Sequence, residues 1–336
     1  MASPDASGYV HGPSVEIRSH LHGMIVTVTL NPSLDEWIRL PSLKMGRLNR
    51  ATTLVRYAAG KGINVSRVIV ELGAPTTAFA ISGGEDGLVL RHLMKQLSVP
   101  CRFFETSGVT RNNYKVETSS PRSLTEINTP GPYVSVETLH RLKQALVGFR
   151  PRPRCVVLSG SLPPGVSADI YRRWIALLRR RGIAVFLDTS GSALRQGLLA
   201  RPFCIKPNQQ EAEELLGYRL SSREAQLKAV RGLLRYGVSM AILSLGKAGA
   251  ILSCAASSEV WWAQPPKVPV DSTVGAGDSL VAGFVVGWTK GRSPMECLRW
   301  AVACGAATAM TPGTELCHRK DVKGLLARVR IRRYTF

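Results

Sequence analysis

Short runs of apolar, β-branched residues alternate with segments of helical periodicity along most of this chain. Such runs occupy residues 24–30, 77–81, 155–158 and 184–187, and between them apolar residues recur at helical spacing, as over 62–72. Strands that are apolar on both faces and joined by helices form a parallel sheet with helices on both sides. The pattern therefore predicts an α/β fold with a Rossmann-like, mostly parallel central sheet.

Two segments interrupt this alternation. Residues 35–58 and 112–130 contain short strands of alternating polarity with no helical segment inside them. We expect them to form a small β-sheet inserted over one edge of the domain, in the position of a lid. Residues 1–23 are polar and are expected to form a flexible leader, so the domain is predicted to span 24–330, followed by a basic tail at 331–336.

The net charge of +21 is high, although 45% hydrophobic and 20% charged residues are ordinary for a folded soluble protein. Residues 141–181 hold ten basic side chains against Asp169 alone. Three interpretations are open: a nucleic-acid surface, a solvated arginine-rich face, or a positive field that attracts phosphorylated metabolites. Because no nucleic-acid-binding motif or interleaved aromatic residue accompanies the charge, we do not expect a nucleic-acid partner.

The apolar runs and the cysteines constrain the location of the protein. No apolar run reaches the roughly 18 to 20 residues that a bilayer span needs, so no membrane partner is expected. The seven cysteines are scattered and include no C-x-x-C pair. These features predict a cytoplasmic protein with reduced thiols.

The segment 271–280 carries the most specific chemistry in the sequence. Its Gly275-Ala276-Gly277 turn opens an apolar helix, where backbone N–H groups can converge on an anion. Asp278, in the first turn, is suited to accept a proton from a hydroxyl that attacks phosphorus. The alternative is that Asp278 is an ordinary helix-capping residue, which would give the same local sequence.

Two common nucleotide-binding motifs are absent from the sequence. Lys61 and Lys247 follow glycines, but Val55 and Ala241 occupy the earlier glycine position of a Walker A loop. The Rossmann fingerprint fails because Leu280 stands where a third glycine is required. Any phosphate chemistry therefore uses another scaffold.

Four further turns follow predicted strands or precede predicted helices. The glycine-lysine turn at 60–64 suits a phosphorylated or polyhydroxyl ligand, although a plain surface loop is the alternative. Residues 159–165 and 244–249 lie where strands of open α/β sheets place their ligands. Asn208 and Glu211 could hold hydrated Mg²⁺, although a capping box has the same spacing.

These motifs, in this order and spacing, resemble the ribokinase-like (PfkB) family of carbohydrate kinases over about residues 24–325. The segments 29–35, 110–112 and 272–275 resemble the phosphosugar branch, which includes 1-phosphofructokinases, tagatose-6-phosphate kinases and minor 6-phosphofructokinases. The resemblance implies a ribokinase-like fold with a β-sheet lid. It also implies ATP as co-substrate, Mg²⁺ as cofactor and a homodimer formed through the lid.

The resemblance also assigns roles to individual residues. Asp278 would be the general base, beside an anion hole formed by the turn that precedes it. The anion hole would consist of Gly275, Ala276 and Gly277, and Glu211 would bind Mg²⁺ through water. The substrate would contact Asp35, Gly60, Lys61, Asn64, Arg111 and Ser161. The ATP site would be formed by Lys206, Asn208, Ser244, Gly246 and Gly249.

Three residues bear on the acceptor. Ala59 replaces a glycine found in many family members, and the resulting turn sequence is similar to that of 1-phosphofructokinases. Lys61 and Glu126 both differ from the minor 6-phosphofructokinases, which have glycine and arginine there. We therefore expect phosphorylation of fructose 1-phosphate to fructose 1,6-bisphosphate, with tagatose 6-phosphate or fructose 6-phosphate as alternative acceptors. A catalytically idle sugar-phosphate sensor or a nucleic-acid-binding relative is the alternative from a different class.

Overall fold

A computed structural model describes residues 23–335 of the chain. The predicted leader therefore lies, except for Gly23, outside the described residues. The strands are β1 (Ile25–Thr29), β2 (Ser33–Leu40), β3 (Thr53–Ala59), β4 (Thr76–Ser82), β5 (Cys101–Glu105), β6 (Arg111–Ser119), β7 (Arg122–Asn128), β8 (Cys155–Ser159), β9 (Ala184–Asp188), β10 (Cys204–Ile205), β11 (Met240–Ser244), β12 (Ala250–Cys254), β13 (Glu259–Gln264) and β14 (Arg330–Thr335).

Helices follow most of the strands of the central sheet. They are α1 (Lys61–Glu71), α2 (Gly84–Gln96), α3 (Val136–Val147), α4 (Ile170–Arg180), α5 (Gly191–Leu198), α6 (Gln209–Leu216), α7 (Arg223–Gly232), α8 (Ala276–Thr289), α9 (Pro294–Thr308) and α10 (Arg319–Leu326). Short 3₁₀ turns occur at Leu233–Tyr236 and Gly246–Ala248. Among residues 23–335, no helix is long and apolar enough to cross a bilayer.

The central sheet has ten strands in the order β14-β13-β12-β11-β10-β9-β8-β1-β4-β5. The seven strands from β11 to β5 are parallel, and β12, β13 and β14 are antiparallel to their neighbours. The alternating apolar pattern thus produces the predicted α/β architecture, because each helical crossover returns the chain to the same edge of the sheet.

Helices cover both faces of this sheet and form two hydrophobic cores. On one face, Val26 and Val28 pack in a cluster with residues of α3 to α7. On the other face, Ile25 packs in a cluster with residues of α1, α8, α9 and α10. Successive side chains of a strand point to opposite faces, so a strand between two helical layers is buried on both faces and is mostly apolar.

The two irregular segments form a separate four-stranded sheet in the order β3-β2-β6-β7, hereafter the lid. Strand β2 begins four residues after β1 ends, and a single residue separates the end of β3 from the start of α1. The lid strands are therefore joined to β1 and α1 of the core by short connections.

The C-terminal third of the chain differs from the sequence-based expectation. Strands β12 and β13 form a hairpin in place of the expected alternation, and α10 adds a further helix. Residues 331–336 were expected to follow the domain as a basic tail. Instead, Arg330–Thr335 pair with β13 as the edge strand of the central sheet, where arginine side chains can reach solvent.

Candidate active site

The predicted site residues gather where the parallel strands of the core end. Lys61 begins α1, Asp188 ends β9, and Lys206 follows β10. Parallel strands bring their carboxyl ends to one edge of a sheet, and ligands of open α/β sheets bind there. The anion-hole turn at the start of α8 lies against the same edge, as the contacts below establish.

The turn before α8 depends on a glycine. Gly275 has φ +79°, and a Cβ atom at this position would lie 2.6 Å from Leu316 Cδ2. The N–H of Ala276 donates to Thr273 O at 3.3 Å, whereas Gly277 and Asp278 lie in the first turn of α8, where amides lack an intrahelical acceptor. Their N–H groups and the helix dipole suit a phosphoryl oxygen.

Asp278 is a buried carboxyl group in this first turn. Its Oδ2 accepts a hydrogen bond from Asn64 Nδ2 at 2.8 Å. Burial raises the pKa of Asp278 to about 6, against the opposing effect of Lys61, and the nearby Asp188 carboxylate raises it further. A carboxylate with this pKa is ionised at neutral pH and is a better base than an exposed aspartate.

Asn64 is itself held by Arg67, one helical turn further along α1. Arg67 donates to Asn64 Oδ1 at 3.3 Å and to Ala58 O at 3.0 Å. Because its oxygen accepts from Arg67, the Asn64 amide presents its NH₂ group to Asp278. The sequence analysis did not single out Arg67, although its i+3 spacing from Asn64 on one helix would have indicated contact.

Asp188 is the second functional residue that sequence reasoning missed. Its buried Oδ1 lies 3.3 Å from Lys61 Nζ and 3.2 Å from Lys206 Nζ. Burial alone would raise the pKa of Asp188, but the ammonium groups of Lys206 and Lys61 outweigh it and hold the pKa below its ordinary value. In turn, Asp188 raises the pKa of Lys61. The available signal was an acid that directly follows an apolar strand run.

Lys206 also lies beside the anion-hole turn. A Cβ atom on Gly277 would be 4.0 Å from Lys206 Nζ. Two ammonium groups, fixed by one carboxylate, therefore stand next to the first-turn amides of α8. This arrangement can stabilise negative charge that develops on a transferring phosphoryl group.

Asp35 lies on strand β2 of the lid, whereas Asp278 lies on helix α8 of the core. Its Oδ1 accepts hydrogen bonds from Ser33 Oγ and Asn113 Nδ2, each at 3.1 Å. Burial raises the pKa of Asp35, and Lys115 opposes this effect. A buried carboxylate on a rigid strand pair is suited to bind sugar hydroxyls.

Arg111 lies at the junction between the lid and the core. It donates to Thr129 O at 2.9 Å and to Asn31 O at 3.0 Å, while its buried Nε has no hydrogen-bond partner within residues 23–335. Burial lowers the pKa of Arg111, and Asp35 opposes this effect. The guanidinium is thus held in place by two carbonyls and retains donor capacity.

Asn31 and Ser161 complete the acceptor side. Asn31 Nδ2 donates to Pro130 O at 3.0 Å and to Ser161 Oγ at 3.3 Å. In the described part of the chain, Asn31 Oδ1 and Thr29 Oγ1 are buried without a partner. Unsatisfied polar atoms beside an arginine indicate a site for a polar ligand.

The predicted nucleotide-binding residues lie along the neighbouring strands. Asn208 and Glu211 form a reciprocal capping box on α6, with hydrogen bonds of 2.8 and 2.9 Å. Asn208 also pairs with Ser244 in an isolated parallel bridge. Gly246 and Gly249, in the turn after β11, have φ +54° and +87°.

The structure thus separates the predicted residues into two groups. In the first group, Asp188 joins Lys61 and Lys206, and the hydrogen-bonded pair of Asn64 and Asp278 lies close enough for these charges to act on the Asp278 carboxyl. Asp35 and Arg111 form the second group, on the lid side. Glu211 raises the pKa of Lys61 by its charge but does not contact it, so it lies near the first group and outside it. Across residues 23–335, no three His, Cys, Asp or Glu side chains form a metal-binding group.

Known proteins resemble this chain over most of its length. Residues 28–321 match the pfkB family carbohydrate kinases. The chain is 36% identical to the 1-phosphofructokinase of Borreliella burgdorferi over 92% of this chain and 98% of that protein. It is 34% identical to ATP-dependent 6-phosphofructokinase isozyme 2 of Mycobacterium tuberculosis over 89% of this chain and 88% of that protein.

A solved structure extends the likeness to the fold. Phosphofructokinase-2 from Escherichia coli, in complex with fructose-6-phosphate, superposes with a TM-score of 0.85 at 30% sequence identity. The alignment covers 91% of this chain and 99% of that one.

Proposed function

Because the chain belongs to the pfkB family of carbohydrate kinases, we propose that it transfers the γ-phosphoryl group of ATP to fructose 1-phosphate. The products would be ADP and fructose 1,6-bisphosphate. One observation carries the proposal: the buried Asp278 carboxylate, bonded to Asn64 at 2.8 Å, stands at the N-terminus of α8 beside two fixed ammonium groups.

The free C6 hydroxyl of the acceptor is the nucleophile in this reaction. Asn64 bonds to Oδ2 of Asp278, so Oδ1 remains to accept the hydroxyl proton as the oxygen attacks phosphorus. The first-turn amides of α8 and the Lys206 ammonium would stabilise the charge on the transferring phosphoryl group. The bond to the ADP leaving oxygen breaks as the new O–P bond forms.

The acceptor phosphate needs a cationic partner, which Arg111 would provide, whereas Lys61, the other cation predicted to bind it, is paired with Asp188 in the first group. Arg111 is positioned by two carbonyls and has donors left over, so it can hold a phosphate with little loss of side-chain entropy. Asp35 would hold the sugar hydroxyls. A phosphosugar should therefore exceed unphosphorylated fructose by at least about 10³ in kcat/KM.

The residues fit a Mg²⁺ ion that is held mainly by water and by ATP phosphates. Glu211 uses Oε2 to cap α6, which leaves Oε1 to bind a hydrated ion. Mg²⁺ usually keeps several waters and takes few protein ligands, which agrees with the sparse acidic set here. When bound, the ion neutralises phosphate charge. In the proposal, Lys206, Asn208, Ser244, Gly246 and Gly249 line the ATP site.

The lid supports a further part of the proposal, a homodimer. Leu54 is 58% exposed and Ile127 is 53% exposed, and both lie on the lid sheet. A second copy of the chain would cover these side chains. In sedimentation velocity we expect a dimer, and Ile127→Glu should yield a monomer. A wild-type chain that is monomeric and fully active at micromolar concentration would contradict this part.

The proposal places the enzyme in the cytoplasm. All seven cysteines are free thiols, and six of them are buried. Reduced cysteines are typical of this compartment, where ATP and phosphosugars are also found.

A coupled assay of ADP release tests the function. We expect fructose 1-phosphate to give the highest kcat/KM among fructose 1-phosphate, fructose 6-phosphate, tagatose 6-phosphate and fructose. The Asp278→Asn variant, purified in the same way, controls for contaminating kinases. A higher value for fructose 6-phosphate would favour 6-phosphofructokinase activity, and ADP release with none of the four acceptors would reject the kinase assignment.

A further inference from the structure

Two clefts lined by arginine lie at the edge of the central sheet opposite to the candidate active site. This is the edge where β8, β9 and β10 begin and where α3, α4 and α5 end. The larger cleft, here called the distal cleft, has a volume of about 570 Å³ and is lined by Ala176, Arg179, Arg180, Leu199, Ala200 and Arg201. The smaller cleft, of about 340 Å³, includes Arg150, Arg152 and Arg181 in its lining.

The positive charge in this region has little local compensation. Within residues 23–335, neither cleft is lined by an acidic side chain. Asp169, the one acid in residues 141–181, pairs with Arg173 at 2.9 Å near the start of α4, whereas the distal cleft lies at the end of that helix. The six lining arginines therefore form an unbalanced positive surface.

Helix capping explains two of these arginines. Arg179 donates to Ala200 O at 2.6 Å, and Arg181 donates to Val147 O at 2.8 Å. Cations at a helix C-terminus satisfy free carbonyls and complement the helix dipole. By contrast, the side chains of Arg180 and Arg201 make no hydrogen bond or ion pair in the described part of the chain. Arg180 can still complement the dipole of α4, because it lies in the last turn of that helix, but it caps no carbonyl, and Arg201 lies beyond the end of α5.

Arg201 also has an unusual backbone. Its φ is +53°, in the left-handed region that glycine adopts most readily. Its side-chain stem lies across Gly237, where a Cβ atom would come within 2.8 Å of Arg201 Cδ. A long cationic side chain is thus held over a glycine, at a position where the backbone itself favours a residue with no side chain.

We propose that the distal cleft binds a small, multiply phosphorylated anion, through Arg179, Arg180 and Arg201. A volume of about 570 Å³ lies within the range of small-molecule sites. Guanidinium groups bind phosphate oxygens with paired hydrogen bonds, and Arg179 is already fixed by its carbonyl contact. No aromatic side chain lines the cleft, so it lacks the stacking surface that single-stranded nucleic acids require. This site is separate from phosphoryl transfer.

Isothermal titration of the full chain with sodium tripolyphosphate at about 0.15 M salt tests the proposal. The wild type should show two binding events, one at the ATP site and one at the distal cleft. The Arg180→Gln/Arg201→Gln variant should lose the second event or bind at least about 10-fold more weakly there. The matched control is Arg172→Gln/Arg195→Gln, which removes two exposed arginines of α4 and α5 that do not line the cleft.

A second variant separates ligand binding from folding. Arg201→Gly removes the side chain at a left-handed position, so the variant should melt no lower than the wild type and still lose affinity. Equal weakening in the cleft and control pairs would mean a diffuse field and would overturn the proposal. So would a single binding event in the wild type, or tighter binding of a single-stranded RNA than of tripolyphosphate that depends on Arg180 and Arg201.

Discussion

Asn64 donates its side-chain amide to Asp278 Oδ2 at 2.8 Å, across 214 residues of sequence. This bond joins the first turn of α1 to the first turn of α8. It fixes one oxygen of the carboxylate and leaves the other for a substrate proton. The glycine-rich turns that begin α1 and α8 therefore form one site, in which Asn64 of the first orients the carboxylate of the second.

Asp278→Asn should lower kcat by about 10² to 10⁴ and leave ATP binding nearly unchanged, because the amide cannot accept the hydroxyl proton. Steady-state kinetics and ATP titration measure the two effects. Asp271→Asn is the matched control, since Asp271 is exposed and, within residues 23–335, pairs with Arg122 at the surface. Turnover close to wild type in the Asp278 variant would reject the base assignment.

The pH dependence of kcat/KM should report the same carboxyl group. Burial raises the pKa of Asp278 to about 6, and the base acts only when ionised. We expect kcat/KM to fall about tenfold per pH unit below pH 6 and to level off above it. An acidic limb near pH 4 would show that Asp278 is solvated as in an exposed site.

The stability of Asp278→Asn should run opposite to its activity. A carboxyl group with a folded-state pKa raised from 3.8 to about 6 stabilises the fold fully below pH 3.8 and loses that contribution as the pH rises through 6. Above pH 6 the buried charge costs up to about 3 kcal/mol. The neutral variant should therefore resist urea better than the wild type at pH 8, and this stability advantage should be smaller or absent at pH 4. A variant less stable than wild type at pH 8 would contradict this account.

Asp188→Asn should destabilise the protein by about 3 kcal/mol, because it leaves Lys206 buried without a counter-charge. The figure lies at the low end for a buried pair because the Lys61 side chain is 38% exposed. The pKa of Asp188 is lowered, so its contribution is present above pH 3.8 and is lost as the pH falls through the folded value. Urea unfolding at pH 7 and pH 3 should show this loss, and Asp169→Asn, at an exposed pair, should change stability little.

Arg111→Ala should raise KM for the phosphosugar at least about 10-fold, with a smaller effect on ATP, because a charge-assisted contact to the acceptor phosphate is removed. It should also lower the melting temperature, since Arg111 bonds two carbonyls at the lid junction. Arg111→Lys keeps the charge without the fork and should be intermediate in KM. An unchanged KM in the alanine variant, with only reduced stability, would make Arg111 a structural residue.

The parallel core was predictable from local pattern. Strands such as β1 are buried at every position because both faces are covered, and Ile25 and Val26 indeed enter opposite cores. The lid was predictable for the converse reason, since its strands alternate in polarity. Both hydrophobicity patterns can be read within a single strand, without knowledge of its tertiary partners.

The C-terminal strands were not predictable in the same way. β12 and β13 are apolar, but a four-residue turn joins them instead of a helix. They therefore interrupt the alternation of strands and helices from which the core was predicted. β14 carries four charged or polar residues among six, a composition typical of a solvated tail. Its strand conformation depends on the exposed edge that β13 offers, which is a tertiary feature.

The site was predictable where motifs are local. Asp278 and Asn64 stand in glycine-rich turns that can be recognised from spacing. Asp188 has no such turn, and its role arises only because Lys61 and Lys206 converge on it from two other elements. The Asn208 and Glu211 pair shows the opposite case, because one local sequence pattern caps a helix and, in the proposed function, also holds a hydrated ion.

Gly60 is the single residue between β3 of the lid and α1 of the core, and it has φ +120°. A Cβ atom there would lie 2.9 Å from Thr29 Cγ2 and 3.0 Å from Pro32 Cα, so this junction has no slack in sequence or in space. A rotation of the lid strand is therefore transmitted to Lys61, the next residue, instead of being absorbed by a linker. In the proposed function we therefore expect contacts of the acceptor with the lid to move the Lys61 ammonium group as well.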